Sequence, residues 1–345
     1  MIRAVSRRAV LAGLGATLAA PRLACAATIR DGAGRELPVP AKVERIFPAG
    51  PPAAILVYTL APDLLAGWTR APTQQEREFL LPGIGDKPEL GRITGRGNSA
   101  NLEAVLQAKP DLIIDSGSTG RTYVELAERV QQQTGIPYAL LDGRFDQTPA
   151  SYRILGQLTG RSERAETLAR WCEDSFATIR GRIAAISPSK RPSVYYARGP
   201  RGLETGLGGS INVETLSFLG SRNAAADTPG SGLAQISLEQ VLAWNPDVIV
   251  TIDLAFFESV RGDPNWAGVK AVRDGRVHLS PKLPFGWVDF PPSVNRMIGL
   301  WWLAQLLYPA QFPEDIRKLA RDFHTLFYQV TPSEAQLDRG LAGRG

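Results

Sequence analysis

The stretch SERAETLARWCEDSFATIRGRIAAI, residues 162–186, decides the architecture, because its apolar residues recur at steps of three or four. They are Ala165, Leu168, Cys172, Phe176, Ile179, Ile183 and Ile186. This spacing predicts one apolar face of an α-helix. Ser162 is the predicted N-cap, and Pro188 blocks continuation of the helix. At a rise of about 1.5 Å per residue, the predicted helix is about 37 Å long.

Two similar segments flank this helix. Residues 103–115 read EAVLQAKPDLIID, and residues 239–251 read EQVLAWNPDVIVT. The two segments are identical at six of their thirteen positions, without a gap. The repeat predicts two similar halves of the chain, joined by the long helix.

The pattern within each half alternates short apolar runs, among them a predicted strand at 64–68, with helical periodicity, and the last dozen residues are expected to be frayed. Such alternation is typical of βαβ units and a parallel sheet. We therefore expect an α/β protein with two Rossmann-like lobes, each built on a parallel central sheet, joined by a single long α-helix. The predicted divisions are an N-terminal lobe at 27–150, a bridging helical segment at 151–187 and a C-terminal lobe at 188–345.

Residues 1–26 have the features of an export signal. They contain four arginines and no acidic residue, a twelve-residue apolar run at 9–20 that is too short to span a bilayer, and the A-x-A site Ala24-Cys25-Ala26. The segment Ser6-Arg-Arg-Ala-Val-Leu11 resembles a twin-arginine signal, so we expect a periplasmic protein. Lipid anchoring at Cys25 is the less favoured alternative, because Arg22 stands where a lipobox requires Leu.

The net charge gives no indication of nucleic-acid binding. The full chain carries 39 basic and 34 acidic residues, a net charge of +5. Without the four arginines of the signal, 35 basic residues face 34 acidic ones, a net charge of +1. A nearly neutral chain lacks the basic excess that contact with phosphates requires.

Recognisable catalytic motifs are absent. The sequence has no P-loop, no H-E-x-x-H, no G-x-S-x-G and no C-x-x-C. Asp115-Ser-Gly117 follows an apolar run, as in aspartic proteases, but that chemistry needs two carboxylates. The second copy of the repeat has Thr251 at the position of Asp115. We therefore expect a protein that is not an enzyme.

A site for a bare transition metal is also not expected. The chain has two histidines, His278 and His324, and after signal cleavage one cysteine, Cys172, which lies on the apolar face of the long helix and is predicted to be a core residue. Zinc, copper and nickel prefer sites rich in nitrogen and sulfur ligands. Any bound metal should therefore arrive already chelated, or as an oxyanion.

An ordered set of short segments carries a resemblance to a known family. The segments are Asp31-Gly-Ala-Gly-Arg35, Val43-Glu-Arg-Ile46, residues 101–111, Ile236-Ser-Leu-Glu-Gln-Val-Leu242, Asp263-Pro-Asn-Trp266, residues 270–277 and Leu307-Tyr-Pro309. Together they resemble the periplasmic substrate-binding proteins of ABC importers for iron–siderophore complexes, haem and cobalamin. In that class a single long helix bridges two lobes. The sequence departs from it at Ala53-Ala-Ile55, where such proteins often carry an acidic residue.

The resemblance implies capture of a solute and its delivery to a permease in the inner membrane with its ATPase, by a monomer without a cofactor. We expect the ligand to be an iron complex, a siderophore or haem, or a related metal chelate. An oxyanion such as molybdate or tungstate is the alternative ligand. An exported cofactor-dependent enzyme and a signalling receptor without transport are further alternatives.

The ligand should lie beyond the carboxyl ends of the strands, where α/β sheets bind ligands. Arginines in strand-end loops would present planar donors to anionic groups. Aromatic side chains could stack on a flat ligand, and Trp287, in a Gly/Pro loop, is poorly placed for a core. Tyr196 could instead ligate iron. A helix start near Arg296 could help to hold an anion, or could be a plain cap. The predicted ligand-binding residues are Trp68, Arg70, Ser116, Arg144, Tyr196, Arg198, Trp287 and Arg296.

Docking to the permease is also implied by the resemblance, through one Glu on each lobe that pairs with a permease Arg. Glu125 and Glu258 each follow one copy of the repeat, so they are the candidates.

Overall fold

Two parallel β-sheets and one long helix frame the chain in a computed structural model that describes residues 28–95 and 100–343. The predicted export signal, residues 1–26 with Cys25, lies outside the described residues. Among those that are described, no helix has both the length and the apolar character needed to cross a membrane.

The first lobe begins with an antiparallel hairpin and continues with alternating strands and helices. Its elements are β1 (Thr28–Arg30), β2 (Glu36–Pro38), β3 (Ile46–Pro48), α1 (Pro51–Leu60), α2 (Gln74–Arg77), α3 (Leu102–Gln107), β4 (Leu112–Gly117), α4 (Arg121–Thr134), β5 (Tyr138–Asp142) and α5 (Thr148–Thr159). Strands β3, β4 and β5 form a parallel sheet in that order. The strand expected at 64–68 is wrong, since this segment makes only isolated bridges, through Leu65 and Trp68.

The connecting helix α6 spans Ser162–Ala184 and confirms the expected bridge. Its 23 residues correspond to about 34 Å. Cys172 and the other apolar-face residues are buried as predicted. The predicted cap is wrong, because the helix begins at Ser162 itself and its N-cap, Arg161, makes no side-chain capping bond.

The second lobe repeats the parallel arrangement with four strands. Its elements are β6 (Ser193–Ala197), β7 (Glu204–Gly206), α7 (Glu214–Phe218), β8 (Arg222–Asn223), β9 (Leu233–Gln235), α8 (Leu238–Trp244), β10 (Val248–Thr251), α9 (Leu254–Ser259), α10 (Lys270–Arg273), β11 (Val277–Leu279), α11 (Arg296–Leu307), α12 (Ile316–Phe323) and α13 (Glu334–Leu341). The sheet order is β11-β10-β6-β8, with all neighbours parallel. The expected α/β class with two parallel sheets is confirmed.

The C-terminal helices return to the first lobe. The Tyr58 hydroxyl of α1 donates to the carbonyl oxygen of Tyr328 at 3.0 Å, and Arg339 of α13 pairs with Glu78. Ser333 and Gln336 form a capping box at the start of α13. The expectation of a frayed C-terminus is therefore wrong, since capping and cross-lobe contacts hold the last helix. The predicted domain limits stay a prediction.

One apolar core runs through both lobes. It joins side chains of α1, β3 and β4 in the first lobe, the buried face of α6, and β6, α7 and α11 in the second lobe. Two smaller clusters cover the outer faces of the two sheets. The shared core ties the lobes together, which favours a small movement of the lobes on ligand binding.

Candidate functional site

A small cavity lies between the lobes, at the carboxyl ends of β4 and β5. Its volume is about 20 Å³, which is enough for about one ordered water molecule. Ligands of α/β proteins bind at this edge of a sheet. The first lobe lines it with α1, β4, β5 and α5, and the second lobe with the loop before α11. The lining residues are Pro52, Leu56, Ser116, Asp142, Gly143, Thr148, Ser151, Pro292, Ser293, Val294 and Arg296.

Three helices begin at this cavity. Pro52 lies in the first turn of α1, Thr148 is the first residue of α5, and Arg296 is the first residue of α11. These helices have 10, 12 and 12 residues, and none of their N-cap residues makes a side-chain capping bond. A helix N-terminus carries about half a positive charge. Few free N–H groups remain at these ends, since Pro51, Pro52 and Pro149 have none and the N–H groups of Arg296 and Met297 donate to the carbonyls of Ser293 and Val294. The three helix dipoles favour an anion at the cavity.

Arg296 adds a full charge to the same place. Its side chain is 3% exposed, and its guanidinium donates to the carbonyl oxygens of Gly143 at 2.8 Å and Ile211 at 3.1 Å. It also pairs with Glu214 at 2.9 Å. Burial lowers the pKa of Arg296, while the Glu214 carboxylate opposes that shift. Arginine stays cationic across the physiological pH range, so the cavity has a permanent positive group, together with the carboxylate of Asp142, which also lines it.

Ser116 is the other predicted ligand residue that reaches the cavity. It is half-buried in β4, immediately after Asp115. Its hydroxyl can both donate and accept a hydrogen bond. With Ser293 from the second lobe, it places a hydroxyl on each side of the cavity.

Tyr196 and Arg198 lie in a buried polar cluster centred on Asp289. The Asp289 carboxylate accepts bonds from the Tyr196 hydroxyl at 2.9 Å, from Asn212 at 2.8 Å and from Arg198. Burial raises the pKa of Tyr196 well above its usual range. The Tyr196 hydroxyl is buried and donates to Asp289, so it is not available as the iron ligand that the sequence suggested. Asp289 lies in the loop that leads to α11 and Arg296.

Trp68 and Trp287 are both core residues, with side chains 2% and 1% exposed. The indole N–H of Trp68 donates to the carbonyl of Ile84 at 2.8 Å, and that of Trp287 donates to the carbonyl of Leu283 at 3.3 Å. The expectation that Trp287 lies outside the core is wrong. The carbonyl of Trp287 packs against α11 at Gly299, where an added Cβ would approach it to 1.8 Å, so the Gly/Pro loop folds inward.

Arg70 and Arg144 are exposed and paired locally. Arg70 pairs with Glu76 at 2.5 Å, and Glu76 is also part of the capping box of α2. Arg144 pairs with Asp142 at 2.7 Å, and its side chain is 64% exposed. Neither arginine lines the cavity.

The histidines and the cysteine supply no metal site. Burial lowers the pKa of His278 and of His324 to about 4, so both are neutral at pH 7. Cys172 is fully buried in the core. The described part of the chain has no group of three or more His, Cys, Asp or Glu residues that could hold a metal ion.

A larger groove of about 310 Å³ lies on the outer faces of α5 and α6. Arg153 and Glu173, which line it, pair with each other at 2.6 Å. The groove is lined by Asp146 and by side chains of α5 and α6, and none of its lining residues belongs to a strand. We therefore take the smaller inter-lobe cavity as the candidate ligand site.

Sequence reasoning missed several residues of this site. Pro52, Thr148 and Glu214 were not among the predicted ligand-binding residues. Pro51-Pro52 and Thr148-Pro149 do indicate helix starts, because proline is favoured in the first turn of a helix. What the sequence did not indicate is that three helix starts would meet at one point.

Known proteins share this architecture. The chain matches the periplasmic binding protein family over residues 66–283, more than half of its length. The molybdate-binding protein MolA of Haemophilus influenzae is 28% identical over 270 residues, 71% of this chain and 75% of that protein. A solved ABC transporter solute-binding protein from Sulfurospirillum deleyianum is 30% identical, with a TM-score of 0.82 over 91% of this chain and 98% of that one. The structure of MolA bound to molybdate has a TM-score of 0.73 at 22% identity, over 89% of this chain and 99% of that one.

Proposed function

Since the chain belongs to the periplasmic binding protein family and is a solute-binding protein of an ABC transporter rather than an enzyme, we propose that its ligand is a small oxyanion such as molybdate. The observation that carries this proposal is the meeting of three helix N-termini and buried Arg296 at one small cavity. Its homologues function outside the cytoplasm, and we propose a periplasmic location reached by the twin-arginine signal.

The size of the cavity supports a small ligand. Sites for organic ligands enclose several hundred Å³, about 300–1,000. The inter-lobe cavity has a volume of about 20 Å³, so it must enlarge for any ligand larger than water, and the shared core resists wide separation of the lobes. A tetrahedral oxyanion needs a much smaller opening than haem or a ferric siderophore. The name of the Haemophilus influenzae relative, a molybdate-binding protein, points the same way.

Calorimetric titration of the purified protein with molybdate tests this assignment, and it is our first prediction. We expect saturable binding of one anion per chain. Arg296→Lys keeps the charge but loses the planar fork of donors, so affinity should fall about tenfold or more. Arg129→Gln is the matched control, since Arg129 on α4 is exposed and does not line the cavity; its affinity should stay within about twofold of the wild type.

An iron–siderophore or haem complex, the ligand favoured by the sequence resemblance, is the rival in the same titration. Binding of either complex without any binding of molybdate would replace the oxyanion with a chelate. Equal loss of molybdate affinity in the Arg296 and Arg129 variants would place the site elsewhere.

Delivery to the permease would use the outer surface of each lobe. Glu125 on α4 is 56% exposed and pairs with Arg121 at 2.7 Å, and Glu258 on α9 is also exposed. Helices α4 and α9 each follow the repeat strand of their lobe. This equivalence supports the two glutamates as docking residues for permease arginines.

A further inference from the structure

Glu214, the first residue of α7, contacts both lobes at the edge of the candidate site. Its Oε2 accepts a bond from the Arg296 guanidinium at 2.9 Å. The same oxygen accepts a bond from the backbone N–H of Phe145, in the first lobe, at 2.9 Å. One carboxylate oxygen therefore holds the cavity arginine and the opposite lobe together.

Arg296 is bound to the first lobe in a complementary way. It donates to the carbonyl oxygen of Gly143 at 2.8 Å, and its guanidinium lies 5.1 Å from the centre of the Phe145 ring. Among the contacts of the described residues, hydrogen bonds occupy four of its five N–H groups. One N–H group of Arg296 thus remains for a ligand. An anionic ligand, as a stronger acceptor, could also take over the other N–H groups.

A buried guanidinium requires a negative partner, because an uncompensated charge inside a protein is strongly unfavourable. In the arrangement described, the Glu214 carboxylate supplies that charge, with its side chain 24% exposed. An anionic ligand in the cavity would supply it as well. Two anions beside one guanidinium repel each other at short range, where the low dielectric weakens screening.

We propose that Glu214 is an internal counter-ion that competes with the anionic ligand for Arg296 and so limits the affinity of the site. This inference rests on the proposed function. When the ligand leaves, Glu214 again neutralises Arg296, so the empty site does not retain an unpaired buried charge. The site can therefore release its ligand to a permease without a strongly unfavourable empty state.

Glu214→Gln tests the proposal, because glutamine has nearly the same shape and retains an oxygen acceptor for Phe145 and Arg296 but has no charge. We expect its dissociation constant for molybdate to be about tenfold lower than that of the wild type. The separate variant Glu214→Asp keeps the negative charge, so its affinity should be near the wild-type value. Asp146→Asn is the matched control, since Asp146 is exposed and outside the cavity; it should leave the affinity within twofold.

The alternative role for Glu214 is purely structural, as a fastener of Phe145. In that case Glu214→Gln would bind molybdate with unchanged or weaker affinity while its unfolding temperature stays near the wild-type value, and the proposal would be overturned. If Glu214→Gln does not fold, Glu214→Ala removes the same charge and the same affinity gain is required. Absence of molybdate binding in both the wild type and the variants would instead overturn the proposed function, and this inference with it.

Discussion

The two copies of the repeated helix–strand unit fold alike until their strands end. Lys109 and Asn245 occupy the same position of the repeat, and both adopt the left-handed conformation, with φ of 45° and 44°. Asp111 and Asp247 then accept backbone N–H groups at the start of the neighbouring strand, at Arg45 and at Ser193, each at 2.9 Å. Different side chains at position 109/245 thus produce the same backbone.

The copies differ where the strands end. In the first lobe Asp115 is 4% exposed and accepts bonds from Thr94 at 3.0 Å and Tyr138 at 3.2 Å, and the next residue, Ser116, lines the cavity. In the second lobe the Thr251 hydroxyl accepts the N–H of Asp253 at 3.1 Å. The copies therefore share a frame and differ at the strand end, which in the first lobe lies next to the cavity.

The largest expected effect tests the shared frame. Ile113 and Ile249 are equivalent in the repeat and fully buried, one in each sheet. Replacing either with Ala should lower the free energy of unfolding by about 3 kcal/mol, through lost burial and the cavity left behind. Denaturant unfolding of the two variants should give losses within about 1 kcal/mol of each other.

The control for this pair uses the same repeat. Leu106 and Leu242 are also identical in the two copies, but they are 50% and 37% exposed. Their Ala variants should each cost less than about 1 kcal/mol. If only one of the two isoleucine variants loses much unfolding free energy, the two copies contribute unequally to stability.

An intermediate effect tests the difference at the strand ends. Asp115→Ala leaves the Thr94 and Tyr138 hydroxyls without their shared acceptor, which should cost about 1–3 kcal/mol of unfolding free energy. Thr251→Val, in the other copy, loses one bond and should cost about 1 kcal/mol. If denaturant unfolding shows a larger loss for Thr251→Val than for Asp115→Ala, Asp115 is not the more important hydrogen-bonding group of the pair.

The same residue predicts a pH dependence. Burial raises the folded-state pKa of Asp115 above its usual 3.8. The folded protein therefore binds this proton more tightly than the unfolded chain, and stability from this group falls as the pH rises from 3.8 through the folded pKa. Asp115→Asn should flatten this decline in an unfolding series against pH, whereas Thr251→Val should leave it unchanged.

The smallest expected effect separates the two left-handed residues. Lys109→Gly should stabilise the fold by up to about 1 kcal/mol, since glycine adopts this conformation without a steric penalty. Asn245→Gly should instead be neutral or destabilising, because the Asn245 side chain accepts the backbone N–H of Lys270 at 2.8 Å. Thermal unfolding of both variants measures the difference; equal stabilisation would mean that the Lys270 bond contributes nothing.

Much of the fold follows from local patterns in the sequence. The α6 periodicity, the repeat and the apolar strands each act over one element, and the structure confirms the two parallel sheets and the long bridge. The strand expected at 64–68 failed for a reason of tertiary packing. Gly67 lies against the backbone of Pro88, where an added Cβ would meet the carbonyl oxygen at 2.3 Å, so the segment pairs with a loop.

The site was less accessible to prediction because it depends on side-chain direction and on partners distant in sequence. Ser116 and Arg296 were found from strand-end and helix-start signals, and both line the cavity. Trp287 was misplaced because its loop turns inward, and Arg198 was not expected to be bound by Asp289, 91 residues away. Local sequence patterns do not show which charged residues, far apart in the chain, will pair with each other.

Crystals of the protein with molybdate, measured at the molybdenum absorption edge, test the central claim most directly. The account predicts one anomalous peak in the inter-lobe cavity, within hydrogen-bonding distance of the Arg296 guanidinium and near Ser116. A cavity without a peak, with molybdate bound instead at the groove of Arg153 or elsewhere on the surface, would contradict it.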